Sequence, residues 1–425
     1  MQFKIKKSNL RGQIRIPGSK SHTIRGLILG LLAHGQSNLR EPLDSSDTRS
    51  CLKLVRSLGA AVDDSDPSVW KITGTNRQPV ASEQTVDIGN SGTTLFLGMG
   101  AAALANGLTE LTGDDQIQRR SGALLLEALS SLGATAYSKK KNGCAPLIVG
   151  GGLNGGEVEI ECPTSQYMSS LLIACPAAEN ESCVNTPLLH EKPYVEMTRR
   201  WVESVGIELE ASEDLQNFRI PGKQKYRAFD KTVPADFSSA TFFLVAAAIT
   251  GSELVLEGLD MNDSQGDKAV VSMMAEMGCR VDASERTIRI QGPERLQGVT
   301  FDLNATPDAL PALAVAGTLA DGETRLINVP QARMKETDRI AVMTAELRKM
   351  GATIEELEDG LVIEGDSLAG NVVDGHADHR VVMALAVAGL AASGQTTVKT
   401  AEAVSITFPE FADLMREIGA RIQTE

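Results

Sequence analysis

The sequence predicts an α/β protein of two domains, each made of three copies of one unit of about 72 residues. Three observations carry that prediction. First, Leu58-Gly59-Ala60, Leu132-Gly133-Ala134, Val205-Gly206-Ile207, Met277-Gly278-Cys279, Met350-Gly351-Ala352 and Ile418-Gly419-Ala420 each close an apolar-periodic helix, with glycine spacings of 74, 73, 72, 73 and 68. Glycine just past a helix is the usual left-handed C-cap. Second, an Ala/Leu/Val-rich helix ends near Gly35, Gly107, Glu181, Gly251, Gly322 and Gly394, between 24 and 29 residues before each of those glycines. Third, 425 residues are too many for one core.

The elements within the unit follow from local pattern. Between the two landmarks lies a short apolar run, such as Leu254-Val255-Leu256 or Thr324-Arg325-Leu326-Ile327, and then a polar loop. After each of the first five landmarks come two alternating runs, such as Thr287-Ile288-Arg289-Ile290 and Val299-Thr300-Phe301-Asp302-Leu303. The unit therefore reads strand, loop, helix, strand, loop, helix, glycine, strand, strand. The sixth copy reaches Glu425 without its closing strands, while Phe3-Lys4-Ile5 and Ile14-Arg15-Ile16 are surplus strand-like sequence at the other end. Residues 1–16 are thus expected to complete the last unit. This gives a first domain at 17–232 and a second at 1–16 plus 233–425.

Composition narrows the function. A net charge of −14 argues against nucleic acid or an anionic membrane as the main partner. The start, Met1-Gln2-Phe3-Lys4-Ile5-Lys6-Lys7, has no apolar core of a signal peptide, and the longest uncharged run, Ile88 to Thr109, is too rich in Gly and Asn to span a membrane. Six cysteines, at 51, 144, 162, 175, 183 and 279, show no disulfide or zinc spacing, so reduced thiols and a cytoplasmic location are expected.

Each unit places a polar loop before its first helix. The six read Gly18-Ser19-Lys20-Ser21, Gly89-Asn90-Ser91-Gly92-Thr93-Thr94, Pro163-Thr164-Ser165-Gln166, Ala235-Asp236-Phe237-Ser238-Ser239, Asn304-Ala305-Thr306-Pro307-Asp308 and Gly375-His376-Ala377-Asp378-His379-Arg380. Ser, Thr, Asn and Asp are ordinary helix caps. The same places also suit anions, because free N–H groups and the helix dipole converge there. In the first loop, Ile24, Leu27, Ile28, Leu31 and Leu32 mark an amphipathic helix after Lys20; a P-loop is not met, because Ser19 separates Gly18 from Lys20. Repetition of such loops in two facing domains predicts a polyanionic small-molecule site in the cleft between them, which reconciles an acidic chain with an anionic ligand.

The densest charge cluster is Gln331-Ala332-Arg333-Met334-Lys335-Glu336-Thr337-Asp338-Arg339. Lys335 and Arg339 stand four apart, which predicts one face of a helix. A solvated, salt-bridged face is the ordinary reading of such a run. Yet it occupies the same place in its unit as Gly113-Asp114-Asp115-Gln116-Ile117-Gln118-Arg119-Arg120, so basic residues recur at equivalent positions.

With Gly18-Ser19-Lys20-Ser21 and Arg25, Gly89-Asn90-Ser91-Gly92-Thr93, Ser165-Gln166, Lys335-Glu336-Thr337-Asp338-Arg339 and Asp378-His379-Arg380 in this order, the whole chain resembles the enolpyruvyl transferase family. The resemblance implies two inverted, α/β-barrel-like domains of three repeats each, with the active site between them. It implies transfer of the enolpyruvyl group of phosphoenolpyruvate to the 5-hydroxyl of shikimate 3-phosphate, releasing phosphate, with no cofactor and no metal. The two small molecules are then the partners of an expected monomer.

By that resemblance Asn90, Gly92, Thr93, Arg120, Gln166, Arg339, His379 and Arg380 hold phosphoenolpyruvate, and Lys20 reaches both substrates. Ser21, Arg25, Thr164, Ser165, Gln166, Tyr194, Asp308, Gln331 and Lys335 hold shikimate 3-phosphate. Asp308 is the implied base at the hydroxyl and Glu336 the implied acid at the methylene carbon, with Lys20 a further proton-transfer group and Asp47 orienting the neighbouring loops. The residue types suit the task, since both substrates carry phosphate and carboxylate and arginine forks clamp such groups.

Several positions depart from the family pattern: Phe96 in place of an arginine, Ser121 of a proline, Glu191 of a serine used on the acceptor's phosphate, Gln331 of an asparagine and Ile406 of a lysine. A paralogue with another acceptor, or a non-catalytic anion binder, is the rival reading. A relative acting on UDP-N-acetylglucosamine would carry Lys-Asn where Lys20-Ser21 stands and a cysteine within the Asp114–Arg119 loop, which has none. Converging cationic loops repel until substrate neutralises them, so small-angle scattering should show compaction when both substrates are added. Unchanged dimensions would refute that expectation.

Overall fold

The computed structural model describes all residues, Met1–Glu425. Twelve α-helices, two per repeat, follow along the chain: α1 (Lys20–Leu32), α2 (Ser46–Ser57), α3 (Gly92–Ala103), α4 (Ala123–Ser131), α5 (Ser165–Ala174), α6 (Lys192–Ser204), α7 (Phe237–Thr250), α8 (Ala269–Glu276), α9 (Leu310–Thr318), α10 (Arg339–Lys349), α11 (His379–Ala391) and α12 (Phe411–Glu417). Residues 86–150 show the unit plainly. The strand Val86–Asp87 runs parallel to Leu108–Thr112, which pairs antiparallel with Leu147–Gly150, which pairs in turn with Thr135–Ser138. Parallel neighbours need a crossover, and α3 supplies it. Six four-stranded sheets repeat this order.

The chain forms two compact units, Gly18–Val233 and Met1–Pro17 with Pro234–Glu425. The N-terminal strands divide between two repeats, contrary to the expectation that both complete the last one. Phe3–Lys6 lies antiparallel between Gln395–Lys399 and Arg421–Thr424 and does complete the sixth repeat. Arg11–Arg15 instead runs parallel to Glu253–Glu257, as the opening strand of the fourth. The reason is an exchange of strands. Asp230–Thr232, which precedes α7 in the chain, pairs with Asn38–Arg40 in the first repeat, and Arg11–Arg15 fills the place this leaves open. Pro17 and Pro234 stand at the two crossings, where a missing N–H ends a ladder.

The two helices of a repeat have different roles. All twelve residues of α3, all nine of α9 and eleven of thirteen in α1 are buried. By contrast only six of twelve in α2 and five of thirteen in α6 are buried. The amphipathic stripe read for α1 was therefore only part of its apolar surface: the helix is enclosed on every side, as its small residues allow. The enclosed helices pack on one another, α1 on α3 and α3 on α5 in one unit, and α7, α9 and α11 mutually in the other. A methyl group at Gly100 would sit 2.6 Å from the Ser170 backbone oxygen, so glycine is what lets α3 and α5 meet.

The six landmark glycines all have left-handed backbone, with φ between 89° and 102°. No cysteine is paired, and burial pushes the Cys175 thiol up to about 12, which makes it inert as a nucleophile. No helix is long and apolar enough to cross a membrane.

Two substitutions separate packing from backbone strain. Gly100→Ala overpacks α3 against α5 and is expected to cost about 1–3 kcal/mol. Gly351→Ala meets no atom within 4 Å and is expected to cost only the left-handed penalty of about 1–2 kcal/mol. Urea unfolding of both variants checks the order; a costlier Gly351→Ala would contradict it.

Candidate active site

In the unit 18–233 the site residues gather at the starts of α1, α3 and α5. Lys20 is the first residue of α1, and its Nζ lies 3.2 Å from Oδ2 of buried Asp47, in the first turn of α2. Ser45 caps that helix reciprocally with Thr48, which fixes the turn carrying Asp47. α1 itself starts without a side-chain cap: the Ser19 hydroxyl is buried and makes no hydrogen bond. Ser91 and Thr164 do cap, accepting from Thr94 N and Gln166 N.

Around those starts, Asn90 Nδ2 donates to Asp114 Oδ2 at 2.6 Å and Gln116 Oε1 at 2.7 Å, while its own Oδ1 is buried without a partner. Gln166 Oε1 is likewise unpartnered. The Arg120 guanidinium lies directly against Gly92, where any Cβ would collide with it. Thr93 is buried beside it in the first turn of α3.

Arg25 is enclosed completely. It donates to Thr198 Oγ1 at 2.8 Å, Ser21 O and Tyr194 O at 3.1 Å, and Ser169 Oγ at 3.4 Å, all neutral acceptors. Burial lowers its pKa to about 10, against the opposing pull of Tyr194 and Glu191. Thr198 and Ser169 were not foreseen; no spacing in the sequence links either to Arg25.

In the other unit, five charged residues form one network around a buried guanidinium. Arg339 opens α10 and is 1% exposed. Its Nη1 donates to Asp308 Oδ1 at 2.7 Å, its Nη2 to Glu336 Oε2 at 2.6 Å, and its Nε to Asp378 Oδ2 at 2.8 Å. Arg380 Nη2 lies 3.1 Å from the other oxygen of Asp308. Burial by itself would lower the pKa of Arg339, but Asp378, Glu336 and Asp308 more than offset it and raise the value. Asp378, fully buried, is penalised by desolvation yet held below its ordinary range, chiefly by Arg339. It also caps α11, accepting from the N–H groups of Arg380 and Val381, and so positions His379 and Arg380. The capping place before His379-Arg380 was the sequence signal for this role.

Gln331 Nε2 donates to Asn304 O at 2.9 Å and its Oε1 is buried without a partner. Lys335 does not share a helix with Arg339, contrary to the spacing argument. Asp338 accepts from Ala341 N and starts α10 at Arg339, while Pro330–Met334 is a separate 3₁₀ turn, so Lys335 lies on the link between them. The fifth loop also differs from a simple cap, since Asp308 sits in the 3₁₀ turn Pro307–Ala309 ahead of α9.

Each unit thus holds cations beside helix starts, and one adds three carboxylates bound to the same guanidinium. The comparison with known proteins agrees with that chemistry. The family described as EPSP synthase (3-phosphoshikimate 1-carboxyvinyltransferase) matches residues 5–415. The chain belongs to that family. It is 50% identical to the 3-phosphoshikimate 1-carboxyvinyltransferase of Acetivibrio thermocellus over 424 residues, and 48% to that of Ruminiclostridium cellulolyticum over 423, covering 100% of each chain. A solved EPSP synthase from Acinetobacter baumannii superposes with a TM-score of 0.83 at 28% identity, covering 99% of both chains. Membership accounts for the mixed α/β architecture of repeated units.

The Arg339–Asp378 pair makes stability depend on pH. Asp378 is protonated more readily in the unfolded chain, near pH 3.9, than in the folded one. Its contribution is present above that pH and lost as pH falls through its lowered folded value. Asp378→Asn is therefore expected to cost about 3–5 kcal/mol at pH 7 and progressively less below pH 4. Denaturant titrations of both proteins across pH 2–7 check this; a cost independent of pH would contradict it.

Proposed function

We propose that the protein transfers the enolpyruvyl group of phosphoenolpyruvate to the 5-hydroxyl of shikimate 3-phosphate, releasing phosphate, a step of aromatic amino-acid biosynthesis. The observation that carries this is the 50% identity along the whole chain to a protein named for that activity. The residues of both units act on the same substrate pair. Arg120 and Arg380, with Asn90, Gly92, Thr93 and His379, take phosphoenolpyruvate. Ser21, Arg25, Thr164, Ser165, Gln166, Tyr194, Gln331 and Lys335 take shikimate 3-phosphate, and Lys20 serves both. Arg339 binds through the N–H that its three carboxylates leave unused and holds those carboxylates in place.

In this reading Asp308, held between Arg339 and Arg380, accepts the proton of the 5-hydroxyl as its oxygen bonds to C2 of phosphoenolpyruvate. Glu336 delivers a proton to C3, giving a tetrahedral adduct. The roles then reverse: a proton leaves the new methyl group, the bond from C2 to the phosphate oxygen breaks, and the alkene reforms. For Glu336 to act as the acid it must be protonated beside Arg339, which the negative charge of bound substrates favours. No step calls on a metal or cofactor, and the enzyme is read as a cytoplasmic monomer.

The assay is phosphate release from phosphoenolpyruvate. Release is expected with shikimate 3-phosphate alone; release with UDP-N-acetylglucosamine instead, or with neither acceptor, would overturn the proposal. Asp308→Asn is expected to lower kcat by about 10²–10⁴-fold, and Lys20→Ala to abolish turnover while the circular dichroism spectrum stays that of the parent.

A further inference from the structure

Glu191 immediately precedes α6, and its backbone lies in the left-handed region, at φ 56° and ψ 40°. Residues other than glycine seldom adopt that conformation. Here it turns a carboxylate that is 2% exposed onto the first turn of α5. Oε2 accepts from Ser165 Oγ at 2.7 Å, from Ser165 N at 3.1 Å and from Thr164 Oγ1 at 3.3 Å. One oxygen thus takes a helix-start N–H and two hydroxyls, the donor set an anion's oxygen requires. Desolvated Arg25 stands close enough to feel the same charge. The pocket takes an anion, because it holds one that the chain itself provides.

We propose that Glu191 is a built-in occupant of the acceptor's phosphate seat, which shikimate 3-phosphate displaces when it binds. This rests on the reading above that Thr164, Ser165 and Arg25 hold shikimate 3-phosphate, and that Glu191 stands where the family has a serine used on the acceptor's phosphate. A phosphate monoester carries about −1.5 to −2 charge near pH 7, and the three donors cannot serve it and Glu191 together. Two anions in one buried pocket also repel. Binding is therefore an exchange: Glu191 rotates away, and phosphate oxygens take the Ser165 N–H and the two hydroxyls. Unphosphorylated shikimate has no group that competes for the seat. Glu191 thus sets how strongly the site prefers the phosphorylated acceptor.

Calorimetric dissociation constants of shikimate 3-phosphate and of shikimate for the parent, Glu191→Gln and Glu191→Ser test this. Both variants are expected to bind shikimate 3-phosphate about tenfold or more tightly than the parent, the scale of one charge interaction of about 1.4 kcal/mol, while shikimate changes by less than about threefold. Equal or weaker binding of shikimate 3-phosphate in a folded variant overturns the proposal. Should Glu191→Ser fail to fold, the nearly isosteric Glu191→Gln decides. A structure of the parent with shikimate 3-phosphate decides without any substitution: Glu191 off Ser165 supports the exchange, and Glu191 still on Ser165 beside bound phosphate refutes it. If the parent neither binds shikimate 3-phosphate nor releases phosphate with it, the function itself is wrong and this inference falls with it. If the parent turns over and the variants bind no more tightly, only the inference fails.

Discussion

The constraint on which the structure depends is the near-complete burial of one helix in every repeat. A helix enclosed on all sides has no solvated face, so its sequence must be apolar and narrow, and α3, α7, α9 and α11 are accordingly runs of Ala, Leu, Val, Phe and Gly. Such a helix exposes polar groups only at its ends, where the first N–H groups lack intrahelical partners. Most of the chemical groups in a repeat therefore lie in the loop that starts the helix or in the loops beside it, Arg25 in the second turn of α1 being the exception. Lys20, Gly92, Ser165 and His379 are each the first residue of such a helix. The fold and the site are one requirement seen from two sides.

Arg339 shows what such burial demands of charge. Removing a guanidinium from water is costly unless its donors are met. Asp308, Glu336 and Asp378 meet four of its five N–H groups, and their own burial is offset in return. The network also ties together three pieces distant in sequence, the turn before α9, the start of α10 and the cap of α11. Arg25 illustrates the opposite choice, burial with neutral acceptors only and a pKa drawn down as a result.

Periodicity made the repeat legible in the sequence, because the C-cap glycines need left-handed backbone and so cannot drift. The helix starts were legible for the same reason, through Ser91, Thr164, Asp236 and Asp378 as caps. Strand exchange was not. Arg11–Arg15 and Asp230–Thr232 have the pattern of any short strand, and their partners are chosen by which sheet lacks an edge. Nor was the separation of Lys335 from Arg339, since an i, i+4 spacing carries no information about a cap at Asp338 falling between them. The charge of Glu191 could be read from the sequence; that its carboxylate turns back onto Ser165 depends on a backbone angle that no side-chain pattern encodes.

The N-terminal strands bear on how the chain is made. Phe3–Lys6 has as neighbours Gln395–Lys399 and Arg421–Thr424, and Arg11–Arg15 has Glu253–Glu257. During synthesis Arg11–Arg15 waits for Glu253–Glu257, in the middle of the chain, and Phe3–Lys6 waits for Gln395–Lys399 and Arg421–Thr424. The unit 18–233, by contrast, has every strand of its three sheets within its own span. The unit 18–233 therefore has all its strand partners available earlier in synthesis than the unit formed by Met1–Pro17 with Pro234–Glu425.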